Sequence, residues 1–298
     1  MAPTEARDPL KADLPQNLWG KVFAATPIVM TVMATILAGL SSSEMTRAQY
    51  ERAYSAQMQS KAGDQWGLFQ AKRVRSAVEK GTLDLLSASF ELGQPGAAAT
   101  SDRFREALTA ASSPVAPPAA GREPDPAVDA AIAAVEASAP EKDISLLVSR
   151  LSTAELDRAL EEALSRAREF DSACAPSEAA IAYLESAPGG RPPGGDLSAV
   201  RDLTALRLRV ESERHDQEAR LNRAIADVYE LQVRKGNLSA ERHHLRSERF
   251  FYGMLGAQLA VIVATFAMAA RQRNLLWSFA ATAGLGAVGF ALYVYLNV

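Results

Sequence analysis

The chain has 298 residues, and its 32 Lys and Arg residues and 35 Asp and Glu residues give a formal net charge of -3 at pH 7. This slight acidic excess gives no reason to propose a nucleic-acid partner, which would need a basic face, so we expect none. Cys174 is the only cysteine, which excludes an intrachain disulfide and leaves the redox compartment open. Apolar residues make up 48% of the sequence, and their clustering indicates the fold class.

Three long runs of uncharged, mainly apolar residues predict three transmembrane helices. The runs occupy residues 22–40, 251–270 and 275–298. Each can cross a hydrocarbon core roughly 30 Å thick, because an α-helix rises about 1.5 Å per residue. The first run could also be a signal peptide, but its length favours an uncleaved anchor. Residues 1–21 form a tail before it, and residues 271–274 form a short basic turn between the last two spans.

Two proline-free stretches predict an antiparallel helical stalk between the first two spans. Residues 41–93 lead away from the first span, and residues 196–250 return to the second. In the returning stretch the apolar residues recur at spacings of three and four, as in a coiled-coil seam. If the two helices pair at equal heights, Trp66 faces Ile225, Leu85 faces Leu206 and Phe90 lies beside Arg201.

The residues around Trp66 are the candidate packing or interaction surface of this stalk. We expect Trp66 to pack against the helix around Ile225, with neighbouring polar residues extending the same face; the alternative is a seam between two copies. The surface comprises Trp66, Phe69, Gln70, Lys72, Arg73 and Ile225.

Residues 94–195 predict a small helical insert at the far end of the stalk. Eleven of the fifteen prolines fall between Pro95 and Pro193, so linkers interrupt its short helices. One helix is predicted over residues 127–138. A second begins at the capping-box pattern Ser152-Thr153-Ala154-Glu155, and a third begins at Pro176.

The histidines raise the possibility of a metal site, but their spacing argues against one. His243 and His244 are adjacent in a predicted helix, so their side chains point about 100° apart and do not readily chelate one ion. Glu248 shares a face with His244 alone. A solvated surface explains these residues better, and we assign no metal ligands and no cofactor.

The remaining reactive side chains also favour structural roles. The acidic pairs lie among arginines at helical spacing, as exposed ion pairs do; they are Glu161 with Glu162 and Glu211 with Glu213. Cys174 has no basic neighbour in the sequence to lower its pKa, so we interpret it as an unreactive thiol. We therefore assign no catalytic residues and predict that the protein is not an enzyme.

The predicted spans contain no Asp, Glu, Lys or Arg. Pumps and transporters usually hold such groups at depth, so a small channel or transporter subunit is the least favoured function. Gly256, Ala260 and Ala264 share one face of the second span instead. Small residues in this pattern favour close packing between helices.

The segment after the first span resembles the sequence signature of an uncharacterised family of bacterial three-span membrane proteins. The elements that carry the resemblance are the DQW sequence of residues 64–66 and the QAK sequence of residues 70–72. The likeness covers residues 16–92 and 200–298, and the insert departs from it. It implies an all-α integral membrane protein in the bacterial inner (plasma) membrane, and it carries no catalytic residues.

Together these features predict a membrane-anchored helical scaffold or interaction protein. Its partners are the lipid bilayer and either further copies of the chain or another membrane protein. The alternative is a sensor-like receptor that passes a signal to a separate partner. Basic residues of short loops favour the cytoplasm, so Arg271 and Arg273 place the stalk on the external or periplasmic side. The basic residues just before the second span, among them Arg246 and Arg249, oppose this orientation.

Overall fold

The computed structural model describes residues 18–93, 102–113, 125–186, 197–269 and 273–297. These residues form seven α-helices and no β-strand, which confirms the predicted all-α class. The helices are α1 (Leu18–Ser89), α2 (Asp102–Ser112), α3 (Pro126–Glu136), α4 (Glu141–Arg150), α5 (Thr153–Ser186), α6 (Leu197–Ala269) and α7 (Arg273–Asn297). Most of the N-terminal tail, most of the predicted basic turn and the proline-rich linkers of the insert lie outside the described residues.

Two of these helices, α1 and α6, are long and apolar enough to cross a membrane by length and composition. Helix α7 holds a shorter apolar stretch, Ser278–Phe290. In α1 the apolar stretch includes Pro27, and the helix continues through it. The hydroxyl of Thr31 donates a hydrogen bond to the Pro27 carbonyl at 2.8 Å, which helps to satisfy a backbone oxygen close to the proline.

The chain divides into two compact units. The first unit comprises Met1–Ala53 and Asn237–Val298, and the second comprises Tyr54–Gly236. The described part of the first unit contains the beginning of α1, the end of α6 and α7. The second unit contains the rest of α1 and α6 together with α2 to α5.

The first unit has a core of small side chains. Ala34, Ala257 and Ala287 form one buried cluster, one residue from each of the three helices. Ala264, Ala267 and Ala280 form another cluster, between α6 and α7. Because alanine adds little beyond the backbone, the helices can approach closely. Most of their larger apolar side chains point outward, although Leu37 and Phe250 form a buried cluster of their own.

In the second unit, α1 and α6 run antiparallel. The hydroxyl of Ser76 donates to the Ser212 carbonyl at 2.9 Å, and further along the pair the Arg201 guanidinium lies 4.4 Å from the centre of the Phe90 ring. The predicted neighbourhood of Phe90 and Arg201 is therefore confirmed. The predicted contact of Leu85 with Leu206 is wrong, because Leu85 is exposed and Leu206 packs with α2 and α5 instead.

Helix α5 also lies antiparallel along α6. Gln232 donates to Asp157 at 2.9 Å near the start of α5, and Arg207 donates to Glu185 at 2.7 Å near its end. The described part of the insert is thus not a cap at the far end of the stalk. It extends along much of α6 because α5 has a continuous buried face, which includes Leu156, Ala163, Phe170, Cys174, Ser177, Ile181 and Leu184.

The N-terminus of α5 has the predicted capping box. The backbone N–H of Ser152 donates to the Glu155 carboxylate at 2.6 Å, and the backbone N–H of Glu155 donates to the Ser152 hydroxyl at 3.1 Å. The hydrogen bond from the Ser152 backbone, together with the nearby Ser152 side chain, lowers the pKa of the Glu155 carboxyl. The prediction of a helix start at Pro176 is wrong. Pro176 lies on the exposed side of α5, and buried residues continue on both sides of it, so packing keeps the helix intact.

Candidate functional site

The segment that carries the DQW and QAK elements is helical throughout and lies within α1. Trp66 and Phe69 are half-buried, and their rings meet edge to face with centroids 5.4 Å apart. The Arg73 guanidinium lies 5.8 Å from the Phe69 ring centre, while Gln70 is exposed. Trp66 and Phe69 therefore pack against each other on a half-buried surface of α1. The polar residues around this pair do not share one face of the helix.

Ile225 belongs to a buried cluster that joins three helices. The other buried members are Met58 and Ala62 of α1, Ala163 of α5, and Tyr229 of α6. Ile225 thus meets α1 at positions before Trp66 in the sequence, and it also meets α5. The predicted stalk hairpin has only two helices at this point, and it did not place α5 against Ile225.

Lys72 takes part in an ion-pair network that crosses the second unit. Its ammonium group pairs with Glu218 of α6, whose side chain is only 8% exposed. Arg214 donates to the other oxygen of Glu218 at 2.7 Å and also pairs with Glu178 of α5. Burial opposes the charge of Arg214, but Glu218 and Glu178 raise its pKa above the ordinary value. The network therefore links α1, α6 and α5 through charged groups that neutralise one another.

This network was missed at the sequence level for a physical reason. Arg214 and Glu218 stand four residues apart, which signals a pair within one helix. Their other partners, Lys72 and Glu178, come from helices far away in the sequence. Opposite charges four residues apart form the same sequence pattern whether the pair is exposed and contributes little to stability or is buried.

Cys174 lies beside this network and is buried. Burial raises the pKa of its thiol, and the nearby Arg214 opposes that rise without cancelling it. A thiol with a raised pKa is a poor nucleophile, because the thiolate is the reactive form. Cys174 is a packing residue of α5.

Two histidines form cross-helix pairs with glutamates of α1. His215 Nδ1 lies 3.0 Å from Glu79 Oε2, and His243 Nδ1 lies 2.5 Å from Glu44 Oε2. The Nδ1 atom of His244 is buried and has no hydrogen-bond partner among the described residues. Across the described ranges, no group of three His, Cys, Asp or Glu side chains comes together as metal ligands would.

Among the residues that the structure describes, Asp227 has a carboxyl whose pKa lies far from its ordinary value. Its side chain is 14% exposed, and burial raises the pKa of its carboxyl to about 6, although Arg223 acts in the opposite direction. Glu136 and Glu230 add to the rise. Arg223 also pairs with Glu136 of α3, so Asp227 competes for a cation that has another carboxylate partner.

The small residues predicted to share a face in the second span meet the other helices of the first unit. Ala260 and Ala264 are fully buried. A Cβ atom added to Gly256 would lie 3.7 Å from that of Ala287 in α7, which is ordinary van der Waals contact. On the outside of this unit, a groove runs between α1 and α6; its lining residues are Thr31, Ala34, Thr35, Ala38, Gln258, Val261 and Ile262.

Comparison with known proteins places most of α1 to α5 in one family. Residues 19–184 match the family described as a domain of unknown function (DUF4337). The match runs through the insert and ends before α6, so the expectation that the family likeness would skip the insert is wrong. No curated protein and no solved structure matched the chain.

Proposed function

The chain belongs to the family of the domain of unknown function DUF4337, and we propose that it acts as a membrane-anchored helical scaffold. In this role the first unit holds the protein in the bilayer. The second unit presents a rigid helical surface to further copies of the chain or to another membrane protein. The scaffold has no catalytic activity of its own.

The observation that carries this proposal is the distribution of side-chain sizes in the first unit. Phe266 is 67% exposed and Leu285 is 74% exposed, whereas Ala264 is fully buried. A water-soluble protein buries its large apolar side chains, because each is worth about 1.5–3 kcal/mol on leaving water. Large apolar residues outside and small ones inside are the arrangement that suits helices surrounded by lipid.

Three spans account best for this unit. Helix α7 has 25 residues and is therefore about 37 Å long, enough to cross the hydrocarbon core. Its large apolar side chains are exposed along its length; they include Phe279, Leu285, Leu292 and Leu296. An odd number of spans places the two chain ends on opposite sides of the membrane.

The membrane in question is the bacterial inner membrane, with the second unit outside the cytoplasm. The basic segment with Arg271 and Arg273, which the sequence predicts as a short turn, supports this orientation, because basic residues in short loops favour the cytoplasmic side. The ion pairs of the second unit support a structural role, since Lys72 and Arg214 both pair with Glu218, and Arg214 also pairs with Glu178.

A sensor-like receptor is the second candidate. It is supported by the length of α1 and α6, which have 72 and 73 residues and continue from apolar into charged sequence without a break. Such helices could carry a displacement along their axes. A receptor of this kind would pass its signal to a separate partner.

Membrane extraction tests the proposal. We expect the full-length protein to sediment with membranes, to resist alkaline carbonate and urea, and to be released by detergent. Leu259→Arg places a charge on the exposed side of the second span and should reduce insertion, because a charge at depth costs about 2.5–3.5 kcal/mol on insertion scales. Ala77→Arg, on the exposed side of α1 in the second unit, is the control. Quantitative release of the unaltered protein by carbonate would overturn the anchor.

A further inference from the structure

Helix α1 has two seams on opposite sides within the second unit. The inward seam faces α6, and its residues recur at spacings of three and four: Met58, Ala62, Gln65, Phe69, Lys72, Ser76, Glu79, Leu83 and Leu86. A second series with the same spacing follows two positions later. This outward stripe consists of Gly67, Ala71, Val74, Val78, Gly81, Leu85 and Ala88. A shift of two residues turns about 200° around a helix, so the stripe lies opposite the inward seam.

The outward stripe is the less polar of the two seams, although it is the exposed one. Val74, Val78 and Leu85 are 62%, 63% and 70% exposed. The inward seam contains Gln65, Lys72, Ser76 and Glu79, whereas the stripe contains no polar side chain. A surface helix normally directs its apolar residues to the core and its polar ones to water. The reversal in α1 indicates that a partner covers the stripe.

The two glycines of the stripe support this conclusion independently. Gly67 and Gly81 lie well inside a long helix, where glycine is about 1 kcal/mol less favourable than alanine. A Cβ atom added at either position would meet no atom of the described residues within 4 Å. Packing within the described part of the chain therefore does not require glycine there. The close approach of another helix backbone would make use of both.

We propose that the outward stripe is covered by the same stripe of a second copy, in a parallel, in-register coiled coil. The alternating spacing has a period of 3.5 residues, which another helix of the same period matches. Gly67 to Ala88 covers 22 residues, or about 33 Å of helix. The parallel direction rests on the proposed function, because copies anchored in one membrane through α1 run the same way.

The residues beside the stripe are compatible with this pairing. In a parallel coiled coil the residue before each a position meets the residue after the partner's next d position, five residues further along. Gln70 would then meet the partner's Arg75, and Asp84 would meet the partner's Ser89. All of these side chains are exposed in the single chain. An amide beside a guanidinium and a carboxylate beside a hydroxyl are favourable pairs, and no like charges meet.

Cysteine crosslinking of the full-length protein in bilayer nanodiscs tests the proposal. Ala71→Cys and Ala88→Cys, each made in a Cys174→Ala background, should form dimers with a short bifunctional maleimide. Ser87→Cys is the matched control, because Ser87 is exposed and adjacent to Ala88 but points about 100° away from the stripe. We expect dimer yields at least tenfold higher at the two stripe positions than at the control.

Three results would overturn the proposal. Equal yields at Ala88→Cys and Ser87→Cys would mean that the stripe is not a contact. Crosslinks only between Ala71→Cys and Ala88→Cys in mixed samples would mean antiparallel pairing. Crosslinks only to other proteins would mean a different partner.

A second variant tests the stripe without altering the crosslinked positions. Val78→Glu changes an exposed side chain, so we expect unchanged helical content and a tenfold or larger loss of dimer at Ala71→Cys. An unchanged dimer yield would contradict the proposal. Carbonate extraction of the same samples separates the two proposals, because a released protein that still crosslinks rejects the anchor and not the stripe.

Discussion

At the scale of single residues, burial decides how the charged groups of the second unit behave. Asp227 and Asp216 have the same local pattern, since each carboxylate has an arginine four residues away within α6. The contact distances differ, at 3.8 Å for Asp227 with Arg223 and 3.0 Å for Asp216 with Arg220. Burial without a close cation raises the pKa of Asp227, so its charged form opposes folding.

We predict that Asp227→Asn stabilises the protein at pH 8 and stabilises it much less at pH 4.5. The folded-state pKa of about 6 lies above the ordinary 3.8, so the favourable contribution is present below pH 3.8 and is lost as the pH rises through 6. A difference of about two pKa units corresponds to roughly 3 kcal/mol at most. Thermal unfolding in detergent, followed by circular dichroism at both pH values, checks this. Asp216→Asn is the control, and an equal gain at both pH values for Asp227→Asn would contradict the cause.

At the scale of helices, ion pairs and apolar clusters together align α1, α5 and α6. Lys72 and Arg73 illustrate the distinction between the two sides of α1. Lys72 turns inward to the buried Glu218, whereas Arg73 is exposed beside Phe69. Adjacent residues of like charge thus have different structural roles, because one faces α6 and the other faces outward.

We predict that Lys72→Met destabilises the second unit and that Arg73→Met does not. Removing one partner of a buried pair leaves a charge poorly compensated, which typically costs 3–5 kcal/mol. Glu218 keeps Arg214, so we expect a smaller loss of about 2 kcal/mol, or roughly 4–8 °C in the unfolding midpoint. Adding Glu218→Gln to Lys72→Met should recover part of the loss. Equal midpoints for Lys72→Met and the unaltered protein would show that the pair contributes nothing.

At the scale of the whole molecule, the partner available to the second unit depends on the side of the membrane on which this unit lies. We predict that a reporter active only in the periplasm is active when fused after Val298, since three spans place this end on the side opposite to the Arg271 and Arg273 turn. A reporter that fluoresces only in the cytoplasm is the matched fusion and should be silent. The reverse pattern would place the second unit in the cytoplasm and point to an internal partner.

The sequence by itself determined the features that depend on neighbours along the chain. The long uncharged runs of α1 and α6 identify them as candidate spans, because hydrocarbon thickness sets the length of such a run. The capping box of α5 follows from two residues three positions apart. The neighbourhood of Phe90 and Arg201 follows from pairing α1 and α6 as a hairpin, which needs only their lengths.

Only the tertiary structure decided which surfaces meet. The sequence left α2 and α4 unassigned, and it broke α5 at Pro176, because proline signals a helix boundary unless packing on both sides maintains the helix. The sequence also predicted that Leu85 of α1 would contact Leu206 of α6. In the structure, α5 and α2 pack against the α6 surface that includes Leu206. Several helices compete for the one apolar surface of α6, and the outcome depends on the summed fit of residues that are far apart in the sequence. For the same reason, the sequence suggested a seam along α1 but not that the other residues the structure describes would leave its more apolar side uncovered.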